Sequence, residues 1–197
     1  MNDELAHELV LMAEEDRAVC AALSTGGSLF DGYHPMMADL HRRNAERLNE
    51  IMDAVGWPGD KLIGGASWAP MLVLQNAIVT PRVMRRGLGL LRAAERRGEV
   101  EPLYVALLED RILTLEGRPQ QYGTQFEWDD DGELTPILIA DSQDVDTRRS
   151  PVGMGPLDVD VQRLRSEARN DGARAPADRA ERKAAAEDWA RSVGWRD

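Results

Sequence analysis

Several helical stripes in this sequence carry polar side chains where apolar ones belong. The spacing 5, 9, 12, 16, 19, 23 places Asp16 among Leu5, Leu9, Met12, Val19 and Leu23. The spacing 37, 41, 44, 48, 51, 55 places His41 and Asn44 among Met37, Leu48, Ile51 and Val55. Residues 69–79 are apolar nearly all round except for Gln75 and Asn76, and residues 103–115 are interrupted by Glu109, Asp110, Arg111 and Thr114. A buried polar group without a partner costs about 1–3 kcal/mol, so these side chains must meet one another, water or a ligand.

The chemistry these types suit is acid–base. Imidazole titrates near neutrality, and burial can raise a carboxyl toward it, so His41 with Asp16 or Asp110 are the catalytic candidates. Asn44, Gln75, Asn76 and Gln125 would orient a polar substrate. Arg111 would hold an anionic group or an internal carboxylate, with Asp16 as one candidate partner. Tyr122 and Trp57 could form a rim. The plainer reading is a satisfied hydrogen-bond network that fixes helix register.

Other constellations are weaker. Glu4-x-x-His7 has di-iron spacing, and Asp31-x-x-His34 resembles it, but three histidines and one cysteine give no second Glu-x-x-His, so no metal site is expected. Glu127-x-Asp129-x-Asp131-Gly132 copies half a calcium loop, yet position twelve is Leu138, and a hairpin turn fits better. Cys20 reads as a small core residue. No cofactor motif is present, which favours cofactor-independent hydrolysis, elimination or isomerisation.

Composition sets the frame. The 197 residues carry 24 Lys+Arg against 35 Asp+Glu, a formal charge of −11, and the pI near 4.8 argues against a general nucleic-acid or anionic-membrane binder. Of the acidic residues, eight lie within 127–146, where no basic residue occurs, so an acidic face for a protein partner is a competing reading. No apolar run approaches the roughly 18 residues a membrane span needs. The acidic start Met1-Asn2-Asp3-Glu4 and the single cysteine point to the cytoplasm.

The elements that must position these side chains are mainly helical. Helices are expected over about 4–23, 35–55, 67–79, 80–98 and 101–115, with Pro35, Pro81 and Pro102 as first-turn prolines. Gly26-Gly27 and Asp31-Gly32 break the chain between the first two. The period then changes: residues 122–128 and 133–139 read as a β-hairpin across Asp129-Asp130-Asp131-Gly132. Residues 141–149 and 157–169 return to helix. The expectation is a mainly α domain over 1–170, with five to seven helices in an irregular bundle and one small hairpin near 122–139. Residues 171–197 follow as a helical extension, weakly docked or mobile.

In order along the chain stand Asn44, Gly56-Trp57-Pro58, Gln75-Asn76, Gly98-Glu99, Asp110-Arg111, Gln120 and Tyr122-Gly123-Thr124-Gln125. This series resembles a bacterial family catalogued as a domain of unknown function, number 6624, over roughly residues 9–157. The resemblance implies no particular activity. It marks the same polar interruptions as the site, and adds Gln120 and Trp57 to the substrate-contacting set. It also implies that Asn76 stands where relatives usually have histidine, so His41 would take over that role or the site would be degenerate. The resulting expectation is a small-molecule site in a polar pocket between the first, second, third and fifth helices. The alternatives are an acidic interaction module and an accessory subunit with a degenerate site.

Overall fold

The structure, a computed structural model, describes residues 1–25 and 33–197. The breakers Gly26-Gly27 and Asp31-Gly32 lie outside the described residues. The chain forms two compact units, Met1–Val100 and Glu101–Asp197. Among the described residues there are nine α-helices and one two-stranded antiparallel sheet. No helix among them is long and apolar enough to cross a membrane.

The first unit holds α1 (Asp3–Thr25), α2 (Pro35–Val55), α3 (Asp60–Ile63), α4 (Trp68–Asn76) and α5 (Pro81–Glu95). Asn2 accepts the Leu5 N–H through its side chain at 3.1 Å, capping α1. For α2, Nδ1 of His34 accepts from the Met36 N–H at 3.2 Å, ahead of Pro35 in the first turn. The buried faces follow the expected stripes through Leu5, Leu9, Met12, Ala13 and Asp16 on α1, and Met37, Leu40, His41, Asn44, Leu48 and Ile51 on α2, whereas Val19 and Leu23 are half-buried and Val55 at the end of α2 is exposed. The most apolar helix, α4, packs against α1, α2 and α5 and buries Ala69, Met71, Val73 and Leu74. Gly87 lets α5 approach it, since a Cβ there would stand 2.5 Å from Leu74 Cδ2.

Two ends are earlier than expected. Helix α4 stops at Asn76 instead of continuing to 79, because Pro81 disfavours helical backbone before it and Thr80 turns its hydroxyl to the Ala77 carbonyl at 2.9 Å. Helix α5 stops at Glu95 instead of near Gly98. Gly98 takes φ +67, its N–H returns to Glu95 O, and Glu99 N–H returns to Ala94 O, which is a Schellman termination.

The second unit holds α6 (Pro102–Leu115), β1 (Phe126–Trp128), β2 (Leu134–Pro136), α7 (Val145–Arg149), α8 (Leu157–Asn170) and α9 (Arg179–Ser192). The strands pair Phe126 with Pro136 and Trp128 with Leu134, a shorter ladder than 122–128 and 133–139. Beyond it, Gln120 pairs with the chain at Leu138 and Ala140 through backbone bonds of 2.9 Å, so the flanks are held by single contacts. The count of nine exceeds five to seven for two reasons: α3 is a single four-residue turn with no readable period, and α9 belongs to the extension. Within this unit α9 is anchored. Trp195 is 3% exposed, and Arg196 donates to the carbonyls of Leu115 and Thr114 at 2.9 Å.

Candidate functional site

Asp16, His41 and Asn76 come together in the first unit from α1, α2 and the last turn of α4. Nε2 of His41 lies 2.7 Å from Oδ2 of Asp16, and Asn76 donates from Nδ2 to the other carboxylate oxygen, Oδ1, at 3.1 Å. Asp16 is 6% exposed and His41 7%. The helix spacing produces this directly: both residues occupy inward stripe positions, and Asn76 sits where α4 ends between them. The Oδ2 atom lies well off the Nε2–H axis, so the close contact is not a straight hydrogen bond. A proton on Nε2 would face Asp16 and leave Nδ1 to accept from Tyr33. Nδ1 is in short contact with the hydroxyl of Tyr33. The two rings are tilted by 32°, with centroids 5.8 Å apart.

Asn44 is buried on the same face, but its amide donates to the Met12 carbonyl at 3.3 Å and so ties α2 to α1 beside Asp16. At the rim Arg47 reaches Glu8 at 2.5 and 3.1 Å, and its hydrogen bonds hold the Glu8 carboxyl below the ordinary range. Gln75 is half-buried beside Asn76, and Trp57 is half-buried after α2, with its indole against Gly59. An open hollow of about 400 Å³ runs along α1 past Glu4, His7, Glu8, Leu11, Met12 and Glu15. No group of three His, Cys, Asp or Glu able to hold a metal exists among the described residues.

The second unit gathers the other expected residues into a different arrangement. Asp110, fully buried on α6, accepts from the N–H groups of Gln121 (2.6 Å), Tyr122 (3.1 Å) and Thr124 (3.0 Å), and from the Thr124 hydroxyl at 3.0 Å. Gln120, also fully buried, donates to the carbonyls of Gln125 (2.9 Å) and Ile137 (2.6 Å) and accepts the Gln125 N–H at 2.9 Å. Both side chains thus hold the 120–125 loop, and Gln120 also ties it to Ile137. From the carbonyl side Arg148 holds Gln121 O at 2.8 Å, while Arg149, 1% exposed, holds Tyr122 O at 2.7 Å and pairs with Asp160. Gly123 takes φ +72 with Leu157 and Ile139 packed against it. Arg111 reaches Gln125 Oε1 at 3.5 Å.

Tyr33, Arg148 and Arg149 were not singled out by sequence. Tyr33 precedes a helix, where no period marks it; its one signal is its place in the polar stretch immediately ahead of Pro35. Arg148 and Arg149 are two of 22 arginines and carry no distinguishing spacing. The acidic segment is met inside its own unit: Arg179 pairs with Asp130, Lys183 approaches Glu127 at 3.4 Å, and Arg165 and Arg169 approach Glu133 at 3.5 and 3.6 Å.

No curated protein and no solved structure matches the chain. Residues 3–170, which take in both polar arrangements and stop before α9, match a family of unknown function. The Asp16, His41 and Asn76 cluster and the Asp110-held loop therefore both lie within the matched span, and the chain belongs to the family of unknown function DUF6624.

Proposed function

We propose that the first unit carries an acid–base centre that acts on a small molecule without a cofactor, by hydrolysis, elimination or isomerisation. The observation that carries this reading is the buried Asp16–His41 pair at 2.7 Å. A carboxylate behind one imidazole nitrogen orients the ring and stabilises the imidazolium that forms when the other nitrogen takes a proton. Burying two polar side chains against each other gains little stability over well-packed apolar ones, so packing alone is a poor reason for it. Asn76 supports the same carboxylate through an N–H that a histidine could also supply, which favours an intact site over a degenerate one.

In this reading His41 is the proton-transfer group and Asp16 its orienting partner. Asp110 and Gln120 are positioning residues for the 120–125 loop. Gln75, Asn44 and Trp57 of the same unit are kept as substrate-contacting candidates, whereas Arg111, Tyr122 and Gln125 belong with the Asp110-held loop of the second unit. The reading as an acidic docking module draws less support from Glu127, Asp130 and Glu133, which Arg165, Arg169, Arg179 and Lys183 of the same unit already approach.

The test compares wild type with His41→Gln in a fractionated metabolite mixture followed by mass spectrometry, with melting curves of both. The expected result is a compound consumed by wild type and spared by a folded variant. Identical profiles from the two folded proteins would contradict the proposal.

A further inference from the structure

Residues 171–197 lie beyond the family match, yet they cover part of the unit that the match includes. Helix α9 is fastened at its two ends. At its start Arg179 donates to the Asp129 carbonyl and pairs with Asp130, and one turn later Lys183 approaches Glu127 at 3.4 Å. Past its last turn Gly194 takes φ +88 and turns the chain back. Trp195 is buried there, and Arg196 donates to the last carbonyls of α6, Thr114 and Leu115, at 2.9 Å. Gly117 leaves the room for it, since a Cβ there would stand 3.1 Å from Arg196 Nε. Both fasteners set cations on negative groups: the carboxylates of the hairpin and the carbonyl end of α6.

Between those ends α9 is lightly held. Ala190 and Trp195 are the buried residues of 171–197, and among the described residues no helix or strand runs closely alongside α9. The Asp130 side chain is 97% exposed, and exposed ion pairs stabilise by about 0–1 kcal/mol each. The segment from α8 to α9 has no helix or strand and turns at Gly172, φ +69. An element with so few buried apolar contacts opens at a lower free energy than the core of its unit. Opening would uncover Glu127 and Asp130 at one end and the Thr114 and Leu115 carbonyls at the other, a surface suited to cationic side chains.

We propose that α9 is a releasable strap over a docking face of the second unit. The face takes a helical segment of a partner protein with the chemistry of α9: an Arg and a Lys one turn apart, and a Trp-Arg pair past the helix end. Such a segment displaces α9 because it makes the same contacts. The strap stands apart from the acid–base reading of the first unit. It also differs from an open acidic module, because the face is covered until α9 leaves.

The test uses the full chain and a fluorescent synthetic peptide copying residues 172–197, with a scrambled peptide as control. In wild type, the amides of α9 should exchange at least about tenfold faster than those of α6. Peptide binding is read by anisotropy on wild type, on Arg179→Glu/Lys183→Glu, whose α9 is repelled by the hairpin, and on Trp195→Ala, which lacks the other fastener. Both variants should bind the peptide at least about tenfold more tightly than wild type. Adding Glu127→Lys and Asp130→Lys to the first variant restores attraction to its own α9 and should return binding to the wild-type level. Exchange of α9 in step with α6 would overturn the proposal. So would binding no tighter in either variant than in wild type, binding matched by the scrambled peptide, or binding indifferent to the reversal at Glu127 and Asp130.

Discussion

His41 Nε2 and Asp16 Oδ2 meet at 2.7 Å in the interior of the first unit, each on a helix stripe that is otherwise apolar. Breaking one side of such a pair leaves the other without its buried partner, so Asp16→Ala and His41→Ala should each destabilise the fold by about 1–3 kcal/mol. The double variant should cost less than their sum, with a coupling of about 1–3 kcal/mol in urea melts. Additivity within about 0.3 kcal/mol would mean that the contact contributes nothing of its own. Asn76→His should melt near wild type, whereas Asn76→Leu should not, because only the first retains an N–H for Asp16.

What could be read from sequence was what periodicity encodes. Asp16, His41 and Asn44 stand out because three and four residues make a helical turn, and a polar residue on an apolar stripe must point inward. Tyr33 could not be found that way, since it folds back onto α2 from the segment before the His34 cap. Asp110 and Gln120 were legible as buried polar groups, but not as loop holders, because all their partners but the Thr124 hydroxyl are backbone atoms that any sequence possesses. The four-residue α3 has no period to read, and the ends of α4 and α5 were set by Pro81 and Gly98 more than by their stripes.

Two glycines on α5 should respond in opposite directions to the same change. At Gly87 a Cβ would stand 2.5 and 2.6 Å from the Leu74 methyls and 3.1 Å from their branch point, so rotation cannot relieve it. Gly87→Ala should cost about 1–2 kcal/mol net, after the gain in helix propensity. Gly89 has open space, and Gly89→Ala should stabilise by up to about 1 kcal/mol. Thermal melts of the two variants decide this.

Asp110→Ala should release the 120–125 loop. It removes the acceptor for three backbone N–H groups and a hydroxyl, a loss of about 3 kcal/mol or more. Amide exchange should accelerate at Gln121, Tyr122 and Thr124 in particular. Unchanged protection at those three residues would remove the positioning role.

The second unit should weaken in acid through Asp160. Burial opposes its ionisation, but hydrogen bonds from Arg163 and Arg149 outweigh it, and the carboxyl is held below its ordinary range. A carboxyl depressed in the folded state adds stability above its unfolded value near 3.8, and that contribution is lost as pH falls through the lower folded value. The contribution is under about 1 kcal/mol because the carboxylate is partly exposed. Asp160→Asn should therefore lower stability at pH 6 and converge with wild type as pH falls below the lowered folded value.

The most direct test of the centre is the protonation of the His41 ring, read by long-range proton–nitrogen NMR on labelled protein. The account predicts a proton on Nε2, beside Asp16, and an Nδ1 that accepts a hydrogen bond whose signature disappears in Tyr33→Phe. It also predicts that Asp16→Asn lets the ring revert to the solvent-like tautomer mixture. A proton fixed on Nδ1, or a ring indifferent to both substitutions, would contradict an acid–base centre built on Asp16 and His41.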